Sequence, residues 1–190
     1  MATTTLHIKN MVCPRCIEAV EEVLEQQNIT IKSITLGKVV ITGKISPVIM
    51  LKLETILHKR GFELLQNKSQ QIVTLIKAEV IEIMHYEKSI DSQINLSEHI
   101  SKKLGYDYSY LSTLFSAVTG ATIEKFIISQ KIEKVKELLN YDELSLKEIS
   151  FKLGYSSIQH LSYQFKKVTG VTPSNYKTSK DSKRKSLDNI

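Results

Sequence analysis

The 190-residue sequence predicts an α+β N-terminal domain of order βαββαβ, followed by an all-α domain carrying two helix-turn-helix units. Three observations predict it. As far as Leu65, short β-branched runs alternate with amphipathic helical stretches. From Ile72 onward apolar residues recur only at helical spacing. Within that second region, the segment 104–120 returns as 153–170 with one inserted residue.

Thr4 to Asn10 alternates around Leu6 and Ile8 and reads as a strand. Pro14 to Gln27 reads as a helix with Ile17, Val20, Val23 and Leu24 on one face. Ile29 to Leu36 and Val39 to Ile45 flank Gly37-Lys38, a hairpin signal. Pro47 opens a second helix at the first-turn position that proline favours. That helix carries Val48, Leu51, Leu53, Ile56 and Leu57, and Gly61 stops it. Phe62 to Leu65 forms a short last strand. The order is the ferredoxin-like plan, and a two-layer domain of about 65 residues is small but able to fold. This domain is expected over 1–66.

Asn67 to Gln71 is polar and is expected as a linker. The all-α domain then spans 72–178. Its helices are expected at Ile72 to Tyr86, Ser97 to Leu104 with Ser97 as N-cap, Tyr108 to Thr119, Thr122 to Leu139, Ser145 to Leu153, Ser157 to Thr169, and a last turn from Pro173. The remainder, 179–190, is polar and basic and is expected to be a disordered tail.

A net charge of +6 permits nucleic-acid binding without requiring it. No apolar run approaches the ~18 residues that span a membrane, and Met1 to Lys9 has no secretory apolar core. A cytoplasmic location without membrane contact is therefore expected, where a Cys-x-x-Cys pair stays reduced. No Walker loop, Gly-x-Ser-x-Gly elbow or His-Glu-x-x-His motif occurs, so the expectation is a protein that is not an enzyme.

Each repeat copy has a short helix, a glycine turn and a longer helix, the plan of a helix-turn-helix. Leu111, Phe115, Leu161 and Phe165 recur four residues apart and should pack inward, as should Tyr106, while the positions between them face out. Periodicity alone leaves open a pair of helical hairpins that binds a protein. The particular residues are more specific: Leu104-Gly105-Tyr106, Val118-Thr119-Gly120, Ile149 through Tyr155, and Val168-Thr169-Gly170-Val171-Thr172-Pro173 to Tyr176. With these, residues 85–177 closely resemble the AraC/XylS-family DNA-binding domain. The resemblance implies that one chain places two recognition helices in successive major grooves of double-stranded DNA. It carries base-reading roles to Ser157, Ile158, Gln159, Ser162 and Tyr163 in the second unit and to Ser109, Ser112 and Thr113 in the first. Lys166 and Lys167 are placed for phosphate, and Tyr108 for the DNA backbone. Neither recognition helix contains arginine, the commonest guanine reader, so the first unit is expected to position more than specify. RNA polymerase is a further partner expected of such a regulator.

Cys13 and Cys16, the two cysteines of the sequence, lie between a strand and a helix start. A helix N-terminus favours thiolates, and thiolates select soft ions such as Cu(I). Met11-Val12-Cys13-Pro14-Arg15-Cys16, the βαββαβ order and Lys59-Arg60-Gly61-Phe62-Glu63 resemble the heavy-metal-associated domain of copper chaperones and metal-transporting ATPases. The resemblance implies metal ligation by Cys13 and Cys16, with Met11 beneath the loop and Phe62 closing its other side. Asn10 stands where that family usually has glycine. Three uses of the pair stay open: soft-metal binding, a thiol–disulfide switch, or a docking domain whose cysteines bind nothing. His7 and His58 are weaker nitrogen donors, and a site shared between two copies would supply four thiolates in a homodimer.

The sequence is therefore expected to encode a sequence-specific DNA-binding transcriptional regulator, responsive to a soft metal ion or to thiol redox state. The contrasting possibility is a metal carrier or docking module with a helical adaptor that does not bind DNA.

Overall fold

The computed structural model describes residues 2–86, 95–178 and Leu187. The tail expected over 179–190 lies outside the described residues apart from Leu187. The chain divides into two compact units: one runs to Glu79 and takes in Ile100–Gly120, the other holds Val80–His99 and the chain from Ala121.

In the first unit β1 (Thr3–Lys9), α1 (Pro14–Gln26), β2 (Ile31–Thr35), β3 (Lys38–Thr42), α2 (Pro47–Lys59) and β4 (Glu63–Leu64) follow in the expected order. The sheet runs β2-β3-β1-β4 with every neighbouring pair antiparallel. Leu6 lies opposite Val39 and Thr4 opposite Ile41. The side-chain period of two then sends Leu6, Ile8, Val39 and Ile41 to one face, where all four are buried. The helices α1 and α2 pack on each other and bury Val20, Val23, Leu24, Leu53 and Leu57. Val48 and Leu51 differ from a core assignment: they are 78% and 66% exposed. Leu53 and Leu57, one turn apart, define the inward face, and Val48 and Leu51 fall off it.

The polar stretch expected as a linker is helical instead. Helix α3 (Lys68–Ile81) begins there, with the Asn67 carboxamide oxygen accepting from the backbone N–H of Ser69 and of Gln70. Polar residues at 68–71 reflect a solvated first turn and its cap, not a break. Beyond them Ile72, Val73 and Ile76 are buried. Gly37, in the β2–β3 turn at φ +74°, lets α3 approach: a Cβ there would meet Thr74 Cγ2 at 3.1 Å and Ala78 Cβ at 3.7 Å.

The same unit holds the first helix-turn-helix from Ile100 onward, formed by α4 (Leu96–Leu104) and α5 (Tyr108–Thr119). Ile100, Leu111 and Phe115 form its buried face. Ser97 is not the N-cap: α4 starts at Leu96, and the Asn95 carbonyl accepts from His99 N–H at 2.9 Å. Ser97 instead donates its hydroxyl to the Asn95 side chain at 2.6 Å. Tyr106 is not core either; it is 37% exposed and its ring packs on Tyr110, centroids 5.5 Å apart.

In the second unit a π-helical segment, Glu82–Tyr86, precedes α6 (Ile123–Tyr141), α7 (Leu146–Lys152), α8 (Ile158–Thr169) and α9 (Pro173–Thr178). Ile132, Val135, Leu139, Ile149, Leu153, Leu161, Phe165 and Tyr176 form one core. Caps fix the helix starts. Thr122 accepts from Lys125 N–H, and Ser145 with Glu148 makes a reciprocal capping box at α7. The long helix α6 also buries polar groups that periodicity does not reveal. Lys136 Nζ lies 2.7 Å from Glu133 Oε1, and Gln130 Oε1 lies 2.9 Å from His85 Nε2 of the π segment. Among the described residues no single helix is long and apolar enough to cross a membrane.

Candidate nucleic-acid interface and cysteine loop

Helix α8 is held from behind and open in front. Leu161 and Phe165 are fully buried, and the Phe165 ring meets Tyr176 edge-on at 5.4 Å. Four residues of the helix, Gln159, Tyr163, Lys166 and Lys167, are exposed at the i, i+4, i+7, i+8 spacing of one face. Lys167 Nζ sits 6.0 Å above the Tyr163 ring, within cation–π range, so cation and aromatic form one surface. Ile158 and Ser162 are half-buried flanks of that face. Ser157 is the N-cap: its hydroxyl oxygen accepts from His160 N–H at 3.0 Å. Its first task is structural, and one hydroxyl proton remains for another partner.

Tyr155 shows why this helix stands where it does. Its hydroxyl donates to Gln164 Oε1 at 2.8 Å and Lys131 Nζ lies 5.4 Å from its ring centroid. Burial pushes the Tyr155 phenol up and the Lys131 ammonium down from their ordinary pKa values. The tyrosine thus remains a neutral donor that ties the turn to α8.

Helix α5 presents Ser109 and Thr113 to solvent, with Ser112 half-buried and Tyr108 half-buried at its start. The Thr113 hydroxyl donates to the Ser109 carbonyl at 2.9 Å, which leaves its lone pairs as acceptors. No residue of α5 is charged. Residues absent from the sequence-based candidates also face out: Tyr110 on α5 and His160 on α8. They occupy corresponding positions, one after Ser109 and one after Gln159, so the repeat alignment carried the signal.

The cysteine loop joins β1 to α1. Cys13 is the N-cap with Pro14 at the first helical position. Its carbonyl accepts from Cys16 N–H at 2.9 Å and Ile17 N–H at 3.3 Å. The two sulfurs lie 3.0 Å apart, and both cysteines are free and half-buried. The expectation of a thiolate stabilised by the helix start is reversed for Cys13. Burial, then the thiol contact with Cys16, raises its pKa, and the nearby backbone N–H groups do not offset them. Met11 and Phe62 are buried. Among the described residues no third His, Cys, Asp or Glu joins the pair in a metal-sized group, so neither His7 nor His58 is a ligand by position. Two sulfurs at a helix start fit a two-coordinate soft ion and do not fit a four-ligand zinc site. Arg60 pairs with Glu22 at 2.6 Å.

Comparison with known proteins bears on the helical half. A family described as a helix-turn-helix domain matches residues 100–179. The chain is 31% identical over 107 residues to the Transposon Tn10 TetD protein of Escherichia coli, covering 56% of this chain and 75% of that one. It is 33% identical to the HTH-type transcriptional regulator YtdP of Bacillus subtilis, over 56% of this chain and 14% of that protein. It is 31% identical to the Xylose operon regulatory protein of Escherichia coli K12, over 60% of this chain and 29% of that one. Among solved structures, the C-terminal domain of AraT, a response regulator from Geobacillus stearothermophilus, aligns with TM-score 0.49 and 25% identity over 63% of this chain and 92% of that one.

The fold and its outward helix define a helix-turn-helix protein. The chain belongs to the AraC/XylS family of helix-turn-helix transcriptional regulators. It spans under a third of the length of the first relatives it matches. The family match begins at Ile100, so the sheet and the cysteine loop lie outside it.

Proposed function

We propose that this chain is a sequence-specific regulator of transcription that binds duplex DNA through α8 as the principal reader and α5 as a positioning helix. The observation that carries this is the outer face of α8. It displays a bidentate amide, a phenol and two ammonium groups while its inner face is locked in the core. Gln159 suits adenine N6 and N7, Tyr163 offers a hydroxyl, and Lys166 and Lys167 suit phosphates. The hydroxyls of α5 suit tolerant contacts. RNA polymerase would be met at the promoter. Titration of duplex DNA across a salt series tests the proposal. Affinity should fall steeply as salt rises, with log K linear in log salt. A flat response would mean an adaptor that binds something other than DNA.

Residues 1–66 are read as a ferredoxin-like, heavy-metal-associated input domain, supported by the sheet order β2-β3-β1-β4 and by the paired sulfurs. Cys13 and Cys16 would hold a soft ion such as Cu(I), whose binding displaces thiol protons. The 3.0 Å sulfur separation favours a second use of the same pair, a reversible disulfide. A regulator of this design changes its DNA binding when the loop changes state, and a homodimer sharing one ion would use four thiolates. DNA binding by reduced apo, Cu(I)-loaded and oxidised protein separates these uses. A Cys13→Ser/Cys16→Ser protein that tracks wild type in all three conditions would remove the cysteines from the function.

A further inference from the structure

The first turn of α8 contains a side-chain pair that the sequence candidates and the family match leave unassigned. Ser156 Oγ lies 3.0 Å from His160 Nδ1. The imidazole also meets the Tyr155 ring edge-on, centroids 5.4 Å apart, and Tyr155 is itself anchored in the core. The His160 backbone N–H is fixed by the Ser157 cap. Backbone, ring plane and one ring nitrogen are thus each restrained, although the residue is exposed. A reading side chain gains accuracy from such restraint, because the entropy of ordering it is lost before binding.

We propose that Ser156 and His160 form a composite base reader in which His160 Nε2–H donates to guanine N7 in the major groove. This rests on α8 being a DNA-reading helix. The N-terminal residues of a recognition helix are the ones that approach base edges, and His160 is the third residue of α8. Neutral histidine has one donor and one acceptor nitrogen. The reader takes the tautomer in which the Ser156 hydroxyl donates to Nδ1, which puts the ring proton on Nε2, the nitrogen left for a partner. Guanine offers two adjacent acceptors, N7 and O6, whereas adenine sets an N–H donor beside its N7. A chain with no arginine in either recognition helix thereby keeps a guanine contact.

Selection of duplexes from a random library, with the full chain, His160→Ala, Ser156→Ala and Gln159→Ala, tests this. The wild type should yield a motif with a guanine column. His160→Ala should flatten that column alone, Ser156→Ala should broaden it, and Gln159→Ala should change a different column. In the selected duplex, 7-deazaguanine at that position should weaken wild-type binding by about fivefold to tenfold, the effect of one base contact, and leave His160→Ala unchanged. A wild-type motif that His160→Ala reproduces unaltered overturns the pair and leaves DNA reading intact. A motif in which His160→Ala removes preference for adenine or cytosine overturns the donor assignment. No wild-type motif overturns both the pair and the DNA reading beneath it.

Discussion

Leu111 and Phe115 in the first helix-turn-helix and Leu161 and Phe165 in the second stand at the same four-residue step, and all four are buried. Gly120 and Gly170 both close their helices in the left-handed region, at φ 73° and 84°. Thr119 and Thr169 both donate to the carbonyl four residues back at 2.8 Å. Against that shared frame the outer faces differ. Where α8 has Gln159, His160, Tyr163, Lys166 and Lys167, α5 has Ser109, Tyr110, Thr113, Ser116 and Ala117. The turns differ as well: Tyr155 is in the core, whereas Tyr106 stacks outside on Tyr110. Duplication has kept the packing and divided the chemistry, giving one charged, restrained face and one neutral face of hydroxyls and aromatics.

The frame is the place to break the comparison hardest. Phe165→Ala and Phe115→Ala should each cost about 3–5 kcal/mol, read by denaturant unfolding. A cost under about 1 kcal/mol at Phe115 would mean that the first copy does not use the frame it shares. The faces come next. Lys166→Ala/Lys167→Ala should reduce the salt slope of DNA binding by about 2, one for each phosphate left without its ammonium partner, while Ser116→Ala leaves the slope alone. Conversely, Ser116→Lys/Ala117→Lys should raise it, provided α5 lies along the DNA. Smaller still is base discrimination. Gln159→Ala should lose about 1–3 kcal/mol at one base pair, and Ser109→Ala markedly less, measured on single-base variants of the selected site.

The smallest effect is a pH dependence at α7. Ser145 hydroxyl and N–H hold the Glu148 carboxyl below its ordinary pKa of 4.5. A depressed folded pKa means stability that is complete above that ordinary value and is lost as pH falls through the folded one. The protection factors of the α7 amides, taken against the intrinsic exchange rate at each pH, should therefore fall on acidification below about pH 4.5, and Ser145→Ala should remove most of that dependence.

Much of this was legible in the sequence because periodicity and punctuation agreed. Pro14, Pro47 and Pro173 mark helix starts, Gly120 and Gly170 mark helix ends, and Leu161 and Phe165 declare an inner face. Polarity misled where it had a cause other than a break. Lys68 to Gln71 look like a linker but are the solvated first turn of α3. Apolarity misled at Val48 and Leu51, which a helix of known face would have excluded. The fate of Tyr106 needed the geometry of its turn, which is one residue shorter than that of Tyr155. Glu133 and Lys136 form a buried pair that no sequence pattern marks, since only tertiary packing shows what covers α6. In the candidate interface, Gln159, Tyr163, Lys166 and Lys167 were readable as outward positions. His160 was not, because its significance lies in contacts with Ser156 and Tyr155, not in its spacing. At the loop, the Cys-x-x-Cys pattern gave the pairing of Cys13 and Cys16 but not the direction of the Cys13 pKa, which burial decides.

The division of labour between the two helices is tested most directly by selecting duplex DNA from a random library with three proteins: wild type, Gln159→Ala/Tyr163→Ala, and Ser109→Ala/Thr113→Ala. The predicted result is a wild-type motif of two half-sites about one helical turn apart, one of which loses its sequence preference in the α8 variant while the α5 variant keeps most of both. A wild-type motif that survives the α8 changes and collapses with the α5 changes would contradict the assignment of α8 as the principal reader.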